Sequence, residues 1–162
     1  MTDTLDLHLK RRAAHALRDF KRSIEGLTEE EARRDGRPSW PGQKWGLGQD
    51  GSIAGIVYHV AAWKSLSLPL LKGEPAPPME QFDSARVAGH NDWTGIVAWF
   101  LEIADEWNAA VASLPEEAFD EQRELEGQTM TLAALVTEIY EHDLQHAAQI
   151  DYLRQAHIAD DA

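Results

Sequence analysis

Apolar residues recur at spacings of three and four, the period of an amphipathic helix, in four segments separated by stretches rich in proline and glycine. The first, about residues 4–26, puts Leu5, Leu9, Ala13, Ala16, Leu17, Phe20 and Ile24 on one stripe. His8, Arg12, His15 and Asp19 fall on the opposite, wet face. A loop over residues 27–50 follows, in which Pro38, Pro41, Gly42, Gly46 and Gly48 forbid continuous helix. Trp40 and Trp45 give this loop the apolar surface to fold over one end of the molecule. The second helix begins after Ser52 as N-cap, turns Ile53, Ile56, Val60, Trp63 and Leu66 inward, and runs to Leu68, where Pro69 is expected to close it.

From Pro69 the chain carries Pro75, Pro77 and Pro78 and then a polar stretch ending at His90, which reads as a crossover loop. A third helix starts after Asn91 or Asp92. Its stripe is Trp93, Ile96, Trp99, Phe100, Ile103, Trp107, Val111 and Leu114, and Pro115 ends it. The fourth starts near Thr129 or Thr131 and continues through Leu132, Leu135, Val136, Ile139, Ile150 and Leu153. No period-two alternation competes with these helices, so no strand is expected. Four such helices pack most simply as an all-α four-helix bundle with a crossover loop between the second and third. With 162 residues, the chain is read as a single domain over residues 1–162.

Polar side chains that interrupt the apolar stripes are the candidate chemistry. His142 and His146 stand one turn apart on the fourth helix, on the stripe between Ile139 and Ile150. His59 occupies the same kind of position on the second helix, between Ile56 and the pair Trp63 and Leu66. A buried imidazole left without a partner costs about 1–3 kcal/mol per unsatisfied group. Three inward imidazoles on two helices match a site in which protein supplies three metal ligands and water or substrate takes an open position. The plainer alternative is that each histidine is an ordinary core or surface residue bonded to a carbonyl or to water. His8, His15, His90 and His157 are read as structural or exposed.

Composition narrows the chemistry. There is no cysteine, so thiolate ligands, disulfides and a protein thiol nucleophile are excluded. Twenty-eight acidic against fifteen basic residues give a formal charge of -13, which disfavours nucleic acid. The basic groups Lys10, Arg11, Arg12 and Arg33, Arg34, Arg37 are short clusters. No apolar run approaches the roughly 20 residues of a membrane span, and the opening residues lack an apolar signal core. A cytoplasmic protein without membrane partners is expected, and a homodimer is plausible for a compact bundle.

The segment SIAGIVYHVAAWKS resembles the second-helix motif of the DinB-like family, and EHDLQHAAQIDYLRQ resembles its fourth-helix H-x-x-x-H-x-x-Q-I signature. The likeness extends over nearly the whole chain, including LTEEEA after the first helix. Ala147-Ala148 stands where the family often has Arg-Gly. The resemblance implies one divalent metal ion bound by His59, His142 and His146 at one end of the bundle. Zinc is the default from the ligand chemistry, with nickel or iron(II) behind it. The family includes enzymes that use low-molecular-weight thiols such as bacillithiol or mycothiol.

Three readings of function follow. In the first, the metal activates a small thiol that attacks an electrophilic small molecule, with Trp40, Trp45 and Trp63 walling the pocket. In the second the metal activates water, and Asp143, next to His142, invites comparison with a general base. A zincin protease would have glutamate there, and Glu138 and Glu141 are better read as solvated. In the third, the ion only fastens the second helix to the fourth. A di-iron carboxylate site is set aside, because Glu-x-x-His is missing from the sequence.

Overall fold

The stripes of the sequence become the buried faces of four long helices in the structure, a computed structural model that describes residues 4–34, 50–83 and 92–160. Helix α1 spans Leu5–Ile24 and buries Leu9, Ala13, Ala16, Leu17, Phe20 and Ile24. Leu5, expected on the same stripe, is the first residue of the helix and is 63% exposed. A short helix α2, Glu29–Arg33, lies inside the segment expected to be loop. It is nucleated by a capping box: Thr28 Oγ1 accepts from the Glu31 amide, and Glu31 accepts from the Thr28 amide at 2.8 Å.

Helix α3 spans Ile53–Leu71, with Ser52 as N-cap accepting from the Gly55 amide at 3.0 Å. Pro69 does not close it. The helix continues for two residues because Leu70 and Leu71 are buried, and Arg123 from a following strand donates at 2.9 Å to the Leu70 carbonyl, which also accepts from the Gly73 amide at 3.2 Å. Apart from Trp63, its expected inward positions are fully buried, and so are Ala54, Val57, Tyr58, Ala61 and Ala62, so α3 is enclosed on several sides. After a non-helical stretch through Pro78, helix α4 covers Glu80–Asp83 within the crossover loop. Helix α5, Trp93–Ser113, starts at Asp92, whose side chain accepts from the Gly95 amide at 2.7 Å. Helix α2 fixes that start: Glu29 accepts from the Trp93 amide at 2.7 Å, and the Trp93 indole donates to the Leu27 carbonyl at 3.0 Å.

A 3-10 turn over Glu116–Asp120 leads into a feature the sequence reading did not expect, an antiparallel hairpin of β1, Gln122–Leu125, and β2, Gln128–Thr131. Its two-residue turn, Glu126 and Gly127, has φ of 55° and 75°. Positive φ at both central residues is the pattern of a hairpin turn whose twist matches its strands. Helix α6, Leu132–Asp160, follows directly, with Thr131 accepting from the Ala134 amide at 3.1 Å.

Side-chain contacts give the helix directions. Tyr58 meets Trp99, Ser67 meets Trp107, and Lys72 meets Glu106, so α3 and α5 run parallel. Two parallel neighbours require a connection that returns along the bundle, which is why the crossover loop is long. Arg154 near the end of α6 donates to the Ser23 carbonyl at 2.7 Å near the end of α1, while Leu9 and Ala13 share a core with Leu132, Leu135 and Val136. Helices α1 and α6 are therefore parallel to each other. Helix α6 is antiparallel to α3: the end of α3 meets the hairpin from which α6 starts, and its earlier residue His59 meets residues further along α6. No helix among the described residues is long and apolar enough to cross a membrane.

Candidate metal centre

Helix α6 brings His142 and His146 to one face because they are four residues apart. Ile139, Ala147 and Ile150, all buried, hold that face against the core. Helix α3 supplies His59 from between buried Ile56 and Val60. Across the α3–α6 seam His59 Nε2 lies 3.0 Å from His142 Nε2, which in turn lies 3.1 Å from His146 Nε2. The rings of His59 and His142 each stand steeply to that of His146, at 75° and 77°, so three ring edges converge on one point. Trp63, one turn beyond His59, presents its ring at steep angles to His59 and His142, with centroids 6.3 and 6.1 Å away.

The proton inventory shows what this arrangement lacks. His146 Nδ1 donates to Gln149 Oε1 at 2.7 Å, so the neutral ring has a bare lone pair on Nε2. His142 has one proton when neutral. Placed on Nε2 it serves one of two close neighbours and leaves a buried Nδ1 acceptor without a partner among the described residues; placed on Nδ1 it sets two bare nitrogens against each other. A second proton on His142 is resisted as well. Burial, reinforced by His146, His59 and Lys64, pushes the His142 pKa down to about 2. Burial also lowers that of His146, against the raising effect of Gln149.

A divalent cation resolves the arrangement by accepting all three lone pairs. Zinc–imidazole bonds of 2.0–2.1 Å place tetrahedral nitrogens about 3.3 Å apart, and the separations of 3.0 and 3.1 Å fall a few tenths short of that. Among the described residues these three histidines are the group whose ligand atoms could hold an ion, all within 4.8 Å of one another, and no carboxylate joins them.

A family model of the DinB superfamily matches residues 12–150, from the middle of α1 through all three histidines. The chain belongs to the DinB superfamily. No curated protein and no solved structure matches it. DinB superfamily proteins typically bind a divalent metal, and in this chain a three-histidine cluster stands ready at the α3–α6 seam.

The other residues singled out in the sequence of this DinB superfamily chain fall elsewhere. Asp143 does not face the cluster as a base: it is 1% exposed, and its Oδ2 accepts from Lys64 Nζ at 2.7 Å. The reason is helical phase, since a residue next to His142 points about 100° away from it. Glu138 and Glu141 are exposed, as are His8 and His15, and His157 is half-buried. Trp40, Trp45 and His90 lie outside the described residues.

Two contributors were missed. Gln149 is exposed on α6 and orients His146. Lys64 is completely buried beside the cluster. Its signal was present: Lys64 lies four residues after Val60 and Asp143 four after Ile139, so opposite charges occupy core phases of two facing helices.

Proposed function

We propose that His59, His142 and His146 hold one divalent metal ion, zinc by default, and that the protein is a metal-dependent enzyme joining a low-molecular-weight thiol to an electrophilic small molecule. The observation that carries this reading is the donor set, three imidazoles on two helices with no fourth protein ligand among the described residues. Structural zinc sites are closed by four protein ligands, whereas catalytic ones keep a position for water or substrate.

The chemistry such an ion supplies is acidification of a bound thiol, which turns a weak nucleophile into a thiolate near neutral pH. The chain has no cysteine, so the sulfur must come from a cosubstrate. Its own residues hold the three nitrogens in place, and Trp63 gives an apolar wall beside His59 and His142. The thiol yields its proton to solvent, sulfur forms a bond to the electrophilic carbon, and the leaving group departs with the bonding pair. Hydrolysis is less well supported, because Asp143, the carboxylate nearest in sequence, is engaged by Lys64.

The test is conjugation of small thiols, bacillithiol and mycothiol among them, to an activated aryl halide by zinc-loaded protein. Turnover that depends on metal and thiol and is lost in His59→Ala is the expected result. Ester or amide hydrolysis by the same protein without any thiol would favour the hydrolytic reading.

A further inference from the structure

Lys64 and Asp143 form the most deeply buried charged pair among the described residues. Their side chains are 0% and 2% exposed. The Lys64 ammonium also lies 4.4 Å from the centroid of the Trp107 ring. The Trp107 indole donates to Ser67 Oγ at 2.9 Å, and Ser67 Oγ donates to the Lys64 carbonyl at 3.3 Å, so α3, α5 and α6 meet in one polar network inside the bundle.

Stability does not explain this network. A buried ion pair does little better than well-packed apolar residues of the same volume, and often worse. This one is also incompletely satisfied, since Asp143 Oδ1 is buried with no hydrogen-bond partner among the described residues. The best-attested use of such a pair is to select one register among several that apolar packing would accept.

Register is what the histidine cluster needs. The two helices also bury aliphatic side chains, Ile56 and Val60 on α3 and Ile139 and Ile150 on α6, whose contacts are non-directional. A slip of α6 by one residue shifts it about 1.5 Å and turns it about 100°, which would carry His142 Nε2 away from its 3.0 Å approach to His59. The same slip would break the 2.7 Å bond between Lys64 and Asp143 and leave two bare charges in the core. Asp143 adjoins His142, and Lys64 lies little more than one turn beyond His59, so the pair locks the seam beside the cluster.

We infer that Lys64 and Asp143 are positioning residues for the metal centre: their ion pair fixes the register of α3 against α6 so that His59 meets His142 and His146. This rests on the three-histidine metal reading. It assigns neither residue a contact with the ion or with substrate.

The test compares wild type with Lys64→Met/Asp143→Leu, which removes the charges and keeps the volume. Metal-free helicity and unfolding midpoint are measured beside zinc affinity and the visible absorption of the cobalt(II)-substituted protein. The expected result is a double variant folded at least as stably as wild type, with zinc bound at least about tenfold more weakly and an altered cobalt spectrum. A folded double variant with wild-type zinc affinity and cobalt spectrum overturns the inference. Should that variant not fold, Asp143→Glu, which keeps the charge and lengthens the arm by one methylene, is read by the same two criteria. Wild type that binds neither zinc nor cobalt overturns the metal reading itself, and this inference with it.

Discussion

His146 and Gln149 sit one turn apart on α6, and the histidine Nδ1 donates to the glutamine Oε1 at 2.7 Å. That bond decides which nitrogen faces the cluster unprotonated, and it orients the ring from a residue outside the three-histidine group. Outer partners of this kind raise ligand basicity and hold the ring at its working angle.

Replacing Gln149 by Leu should therefore weaken zinc binding by about 10- to 100-fold. The unfolding midpoint of the metal-free protein should barely move, because an exposed position contributes within about 0.5 kcal/mol. Calorimetric titration with zinc beside thermal unfolding separates the two effects. Unchanged affinity would show that His146 is oriented by packing alone.

The metal-free protein should lose stability on mild acidification. His142 and His146 have folded-state pKa values depressed below the ordinary 6.5, that of His142 to about 2, with burial the largest cause in each. Below pH 6.5 the unfolded chain therefore binds protons that the folded chain refuses. Stability is fully present above that value and falls as the pH drops, by at most about 1.4 kcal/mol per pH unit for each histidine. Urea unfolding between pH 7.5 and about 5, above the range where ordinary carboxylates titrate, should show a falling midpoint that flattens in His142→Phe. A midpoint that rises on acidification would contradict the burial of neutral imidazoles.

Breaking the Lys64–Asp143 pair from one side should be far worse than removing it whole. Lys64→Met or Asp143→Leu alone leaves one uncompensated charge in the core and should cost about 3–5 kcal/mol, all of which the double variant recovers. Denaturant unfolding of the four proteins in a double-mutant cycle measures the coupling. Additive single costs would mean that the two charges are not paired.

The hairpin offers a stabilising change remote from the cluster. Glu126 holds a φ of 55° ahead of Gly127 at 75°, a turn for which Asn-Gly is the preferred sequence. Glu126→Asn should raise stability by about 0.5–1 kcal/mol and leave zinc affinity unchanged. A lower melting temperature would show that Glu126 serves some other contact.

The long helices and the three histidines were legible because their signals are periodic. A core-facing stripe must repeat at 3.6 residues, and His59, His142 and His146 stood out as polar residues on such stripes. Ser52 and Asp92 were legible as caps because their side chains answer a need that every helix start has. The hairpin was not: its strands have four residues each, all but Leu125 lie outside the buried core, and only Gly127 marks the turn. Pro69 misled because proline forbids a helical bond to the residue four before it but does not stop the burial of Leu70 and Leu71. Lys64 escaped because a lysine at the edge of a stripe ordinarily carries its charge out to water. Its enclosure depends on Asp143, 79 residues away, a pairing that no local window contains.

Metal stoichiometry of untagged protein tests the central claim most directly. After reconstitution with zinc and removal of loosely held ions, wild type should retain about one equivalent, since three protein ligands make one site, while His59→Ala and His142→Ala/His146→Ala should retain almost none. Nickel and iron(II) are tried in the same way. Wild type that retains none of these ions, or histidine variants that retain as much as wild type, would contradict the account.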